Sequence, residues 1–382
     1  MPNGPVALPE CHSAGQNAVL GKNGRVRSAR RATSSARSAT LVARLPALVV
    51  GAALALAAAV PALAHGGTVP EVPPDLANLF LAWKGDPLIW LPTLVAAVLW
   101  WMGVRKVNRA HPEHPVPRVR SLSWALGLFA ILLALDSGIE HYDTTLFWDH
   151  MVQHMLLTLV APPLLLWAGP ITLLLRASSA ATRNRWIYPF LHARVIRFLA
   201  HPVVAWILFA AVMWGSHFSP LFDAALENEW MHRLEHGLFL GSALLFWWPV
   251  VGPDPSPWRL RPAAKVLYVG LQMPQNTFLS LAIFMSSVPL YQHYVTTART
   301  WGPTPLEDQQ IAGAIMWLVG DMMFITAVVL LVLAWMRDDE RRTIGEDRRL
   351  AAEETAIRER AARLAARRAA EAASEEGSVS SA

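Results

Sequence analysis

The sequence is short of charge. Asp, Glu, Lys and Arg make up 16% of its 382 residues, where a soluble globular chain carries about 25%. The shortage is concentrated: 8 charges fall in residues 1–44 and 21 in residues 337–382, leaving 32 for the 292 residues between. That middle section does not suit a water-soluble enzyme and reads as membrane-embedded.

Cysteine is almost absent as well. A single residue, Cys11, excludes disulfides, paired-thiol chemistry and thiolate metal sites, so any soft metal ligand must be methionine. There is no phosphate-binding glycine loop, dinucleotide fingerprint, Gly-x-Ser-x-Gly elbow or His-Glu-x-x-His motif, and the common soluble enzyme classes lose their support. A net charge of +5 could suggest nucleic acid, but the basic residues flank apolar runs and form no single patch. The expectation is a lipid-embedded protein, not an enzyme, with no nucleic-acid partner.

What the sequence has in quantity is apolar length. Seven runs, at about 87–104, 121–140, 150–176, 202–217, 236–252, 265–288 and 309–336, can each cross roughly 30 Å of hydrocarbon as a helix. Several of the 17 tryptophans fall near the ends of these runs, as in interfacial belts. The predicted fold is all-α, a seven-helix membrane bundle spanning 87–336.

Ahead of the bundle, residues 25–44 are rich in Arg and Ser. Leu45–Val60 is apolar and Ala62-Leu63-Ala64 offers small residues to a signal peptidase. Residues 1–64 therefore read as a signal sequence, eight hydrophobic segments in all, with an uncleaved anchor as the alternative. Residues 65–86 read as an extracytoplasmic connector, and 337–382 as a charged cytoplasmic helical tail. Thirteen Lys and Arg, among them Arg105, Arg118, Arg176, Arg197 and Arg259, lie in alternate loops; the opposite loops hold Lys84, Arg233 and Arg299. The excess of positive charge assigns the first set to the cytoplasm, the mature N-terminus to the outside and the C-terminus to the inside.

This topology sorts the histidines. Eight of the thirteen, His65, His141, His150, His154, His217, His232, His236 and His293, fall outside or at the outer ends of helices. Residues four apart share one helical face. His150 with His154, His232 with His236, Met151 with Met155, and Met213 with His217 are therefore pairs that three helices bring to one membrane level. Histidine and methionine without cysteine suit copper, copper(I) in particular, better than zinc. For any one of these residues an interfacial hydrogen bond or core packing is the competing reading. His65, if it became the N-terminal residue, could chelate copper(II) with its amine.

Ionisable groups inside a membrane usually have a reason to be there. Asp136 and Glu140 lie four apart near His141 and Asp143, Asp321 sits mid-way along the seventh run, and Gln272-Met273-Pro274-Gln275-Asn276 interrupts the sixth. Asp321 reads equally as part of a proton or cation route and of a hydrogen-bond network. Pro162-Pro163 and Pro274 are expected to kink their helices. Gly237 and Gly241 could serve packing or clearance.

His150-Met151-Val152-Gln153-His154-Met155 with Ala161-Pro162-Pro163-Leu164, and His232-Arg233-Leu234-Glu235-His236 leading to Phe246-Trp247-Trp248-Pro249-Val250, resemble the multi-spanning CtaG family of cytochrome c oxidase assembly factors. Pro289-Leu290-Tyr291 with Tyr294, and Asp308-Gln309-Gln310-Ile311-Ala312-Gly313 with Met316-Trp317, continue the resemblance across about residues 80–336. It implies a bacterial plasma-membrane protein that helps mature a haem-copper oxidase by handing it copper, with an oxidase subunit or copper chaperone as partner. His150, His154, His232 and His236 carry over as the main family positions, with Asp308, Gln309 and Gln310 beside them. The residues leave two other readings open: a b-type cytochrome with His154 and His236 as haem ligands, and a copper or proton transporter using Asp321.

Overall fold

A computed structural model gives the structure of residues 70–379. The expected signal sequence and His65 lie outside the described residues. Among the described residues the protein is helical throughout, with no strand. The apolar runs dictate this, because a backbone in hydrocarbon must satisfy its own N–H and C=O groups within each segment.

A short helix α1 (Leu76–Leu81) precedes α2 (Pro87–Ala110), α3 (Arg118–Asp136) and α4 (Gly138–Tyr142). The third apolar run is α5 (Phe147–Met155), a π-helical turn at Leu156–Val160, then α6 (Ala161–Ala168) and α7 (Pro170–Ala177). Pro162 sits in the first turn of α6, so the π-helical turn absorbs the hydrogen bond that proline denies the helix. Gly169, at φ +81°, makes the left-handed corner before α7. After short helical turns come α8 (Pro202–His217), α9 (Leu221–Glu227), α10 (Glu229–Trp247), α11 (Pro262–Gly270), α12 (Gln272–Phe284) and α13 (Gln292–Thr296). Last is α14 (Pro305–Val379), 75 residues long, in which the seventh apolar run and the charged tail are one unbroken helix.

Four of these stretches are long and apolar enough to cross a membrane: 87–110, 118–142, 147–177 and 305–368. The pair α8 and α9, bent by 68°, makes a fifth if counted as one broken span. The other two expected runs are less regular. Helix α10 carries Glu229, Arg233, Glu235 and two histidines in its first two turns, and the sixth run divides at Leu271 into helices of 9 and 13 residues. Pro274 falls just after that division, where the missing amide proton costs least.

The core lies between α5, α8, α10, α12 and α14, filled by Phe147, Phe209, Phe239, Phe246, Leu279 and Phe324. Helix α2 is peripheral and exposes Leu94, Val98 and Trp101. Gly313 lets α14 close on α12, since a Cβ there would stand 2.8 Å from the Phe284 amide nitrogen.

Contacts also sort the loops by end. At one end the Arg176 guanidinium binds the His114 carbonyl, the Trp258 indole donates to the Arg197 carbonyl (2.8 Å), and Asp254 caps α7 through the amides of Ile171 and Thr172 (2.9 and 2.7 Å). The three basic loops thus gather together. At the other end, His293 donates to the Thr144 carbonyl (2.8 Å), and the Tyr294 hydroxyl donates to the Asp143 carbonyl (2.7 Å).

Candidate metal centre

Two helix starts, those of α5 and α10, and the end of α8 build the site at this second end. Helix α5 has no capping side chain of its own; its first amides, those of Phe147 and Trp148, donate to Asp308 at 3.0 Å each. Asn228 caps α10 through the amides of Trp230 and Met231. Both helices then place a pair of histidines, one turn in, on the face that meets the other helix.

The five imidazoles of His150, His154, His217, His232 and His236 converge and are all buried. Ring centroids lie 4.2 Å apart for His232 and His236, 5.3 Å for His150 and His232, 6.0 Å for His154 and His236, and 6.1 Å for His154 and His217. The Nε2 atoms of His150 and His154 are 2.9 Å apart, and neither Nδ1 has a hydrogen-bond partner. Two neutral imidazoles sharing one proton in this way leave a buried ring nitrogen unsatisfied, which is costly.

Two neighbours fix which nitrogen carries a lone pair. His217 Nδ1 lies 2.7 Å from the Met213 carbonyl, which can only accept, so Nδ1 bears the proton and Nε2 the lone pair. That Nε2 faces the Met151 sulfur at 3.4 Å, bringing two soft electron-pair donors together. His236 Nε2 likewise donates to Gln153 Oε1 (3.0 Å), leaving the lone pair on Nδ1. The Gln153 amide donates in turn to Glu140 Oε2 (2.6 Å) and to the Ala134 carbonyl (2.8 Å). This is how outer partners orient a ligating imidazole.

Met151, His154, Met155, Met213 and His217 line a cavity of about 20 Å³, together with Met316 of α14. That volume holds about one water-sized particle. Met316 belongs to no histidine pair, so spacing along the chain gave no sign of its place here.

Carboxylates border the outer imidazoles. Asp143 Oδ2 lies 3.5 Å from His232 Nε2, and Glu235 Oε2 lies 3.8 Å from His150 Nε2. Asp143 stands in the connection before α5, and burial raises its carboxyl above the ordinary carboxylate range. Neither oxygen of Glu235 or of the fully buried Asp149 accepts a hydrogen bond. Donor atoms of Asp143, His232 and His236 lie within 4.8 Å of one another, as do those of His150, His232 and Glu235. The sequence hinted at Glu235 only through the order His-x-x-Glu-His, and at Asp143 only through its place near His141.

Other expected site residues lie elsewhere or serve structure. His141 is exposed and packs edge-on to Tyr142 at 5.4 Å, apart from the five buried rings. Asp308 is the cap of α5 and also pairs with Arg299 at 3.1 Å. Gln309 Oε1 accepts from the Leu290 amide (2.7 Å), tying α14 to the loop after α12. Asp321 accepts from Asn276 (3.0 Å) and Thr277 (2.6 Å), a satisfied interhelical network. Asp136 caps the entry to α2 through the amides of Gly85 and Asp86 and the Trp90 indole. Gly237 and Gly241 face open space.

Fold and site together define an all-helical membrane protein with a buried imidazole and thioether cluster at one end of its bundle. The sequence profile described as cytochrome c oxidase caa3 assembly factor matches residues 98–338, and the chain belongs to that family. The chain is similar to an uncharacterized protein of Mycobacterium leprae (strain TN), 33% identical over 283 residues, which is 72% of this chain and 43% of the relative. Uncharacterized proteins of Mycobacterium bovis (strain ATCC BAA-935 / AF2122/97) and Mycobacterium tuberculosis (strain CDC 1551 / Oshkosh) are each 32% identical over 283 residues, 72% of this chain and 42% of theirs. The chain thus spans less than half the length of these curated relatives. No solved structure matches it.

Proposed function

We propose that this protein is a non-catalytic assembly factor of the bacterial plasma membrane that holds copper and passes it to a haem-copper cytochrome c oxidase. Family membership supports the oxidase role. The observation that carries the copper reading is the facing of the His217 Nε2 lone pair and the Met151 sulfur at 3.4 Å, beside His154, Met155 and Met213. A thioether and an imidazole lone pair held without a proton between them suit copper(I). His150, His232 and His236 stand between that set and the outer end, on the path by which copper arrives and leaves. The deeper set has room for little beyond a bare ion, which suits transient holding and release.

In this reading all seven apolar runs cross the membrane. The basic loops lie in the cytoplasm and the histidines face outward, where an oxidase subunit or a copper chaperone meets them. The interruptions in α10 and in the sixth run fit this, because polar and broken segments are tolerated where they are buried in protein. A bis-histidine haem finds less support: His236 Nε2 is turned to Gln153, and the cavity beside His154 is about 20 Å³, far too small for a macrocycle. The hydrogen bonds to Asp321 likewise favour a packing role over a transport route.

The test is deletion of the gene, measuring oxidase activity and oxidase-bound copper in membranes, with complementation by the parent and by a variant in which His150, His154, His232 and His236 are all alanine. Loss of both on deletion, restored by the parent and not by the variant, is the expected result. Unchanged oxidase copper on deletion refutes the assembly role, and full rescue by the variant refutes the site.

A further inference from the structure

The outer half of the cluster is chemically unlike the inner half. The inner cavity is lined by Met151, Met155 and Met213, whereas the outer layer gathers Asp143 and Glu235 around His150, His232 and His236. Asp143 is 1% exposed and Glu235 6%. Asp143 Oδ2 and both Glu235 oxygens accept no hydrogen bond. Among the described residues no Lys or Arg pairs with Asp143, Asp149 or Glu235; the nearby cations are engaged elsewhere, Arg299 with Asp308, Arg233 with Asp86 and Glu229, and Lys84 with Glu140. Buried carboxylate oxygens left without a donor, one on Asp143 and both on Glu235, are disfavoured, and a bound metal ion supplies the missing partner.

We propose that Asp143, His232 and His236, with Glu235 and His150 at their edge, form a second metal site that takes a borderline divalent cation of the zinc(II) class, separate from the thioether-lined copper(I) site beneath it. Two imidazoles with a carboxylate are a common zinc donor set, and Zn–N and Zn–O bonds of about 2.0–2.2 Å are reached from donors within 4.8 Å of one another by small side-chain shifts. Gln153 supports the site by holding His236 with its Nδ1 as the lone-pair nitrogen. The inference rests on reading this end of the bundle as metal-binding, but not on copper being its cargo.

The experiment uses the full chain in detergent, loaded with zinc(II), with copper(I) under reducing conditions, and with both, followed by metal analysis and competition titration. The parent is expected to hold both metals at once. Asp143→Asn combined with Glu235→Gln should weaken zinc(II) binding by at least about tenfold while leaving copper(I) affinity within about threefold, the loss expected when close ligand contacts are removed. Met151→Leu combined with Met213→Leu should do the reverse. Copper(I) binding retained by the carboxylate variant also shows that it is folded. The inference is overturned if the parent binds no zinc(II), if copper(I) displaces zinc(II) one for one, or if the carboxylate variant keeps full zinc(II) affinity. Zinc(II) bound with this dependence but no copper(I) supports the inference and refutes the copper reading instead.

Discussion

Replacing Asp308 with alanine should destabilise the protein far more than an ordinary capping change, because this carboxylate does two jobs at once. It caps α5 through the amides of Phe147 and Trp148 at 3.0 Å each, and it neutralises Arg299 at 3.1 Å. Loss of a helix cap costs about 1–2 kcal/mol. Stranding a buried charge costs about 3–5 kcal/mol, and the Arg299 side chain is only 6% exposed. Arg299 keeps its bonds to the carbonyls of Thr145 (2.8 Å) and Pro303 (2.6 Å), which places its share at the low end. The total is about 4 kcal/mol, most of it from the stranded guanidinium. Denaturation in mixed micelles, followed by tryptophan fluorescence, measures it for Asp308→Ala in the parent and in an Arg299→Met background. In that background the loss should shrink to the capping share of about 1–2 kcal/mol. Equal losses in both backgrounds, or a loss below about 1 kcal/mol in the parent, would mean that Asp308 does not neutralise Arg299 in the folded protein. Since His150 lies one turn into the helix that Asp308 caps, metal affinity should fall together with stability.

Gly313→Val should lower stability by about 1–3 kcal/mol in the same assay, because the added carbons meet the Phe284 backbone and α12 cannot yield without moving its neighbours. Alkaline pH should act through Tyr294, whose hydroxyl burial pushes well above its ordinary range. A folded-state value raised above the unfolded one means stability is complete below about pH 10 and is lost as pH rises further. Denaturation between pH 8 and pH 11 should therefore show Tyr294→Phe about 1 kcal/mol weaker than the parent at the lower pH, where the bond to the Asp143 carbonyl is lost, but with a shallower decline above it. An identical decline in both proteins would remove Tyr294 from the explanation.

The apolar runs were legible as helices because period and length are properties of the chain itself, but their bounds were not: the fifth begins at Glu229, the sixth divides at Leu271, and the seventh runs on unbroken into the charged tail. The pairing of His150 with His154, and of His232 with His236, was legible for the same reason: a spacing of four is a face of a helix wherever that helix goes. The carboxylates were not. Asp254 and Asp308 each cap a helix distant in sequence, and Asp136 ties down the segment leading into α2, at separations of up to 161 residues, and nothing local to any of them announces that role.

The sequence by itself determined that this is a helical membrane protein whose imidazoles and thioethers come in facing pairs, since hydropathy and helical period act over a few turns of one chain. Only the tertiary structure decided which pairs meet, that His141 stays outside while Glu235 and Asp143 come in, and that Met316 closes the inner cavity. Those outcomes depend on how five helices pack around a common core, and packing is set by shape and burial between segments that the linear order keeps far apart.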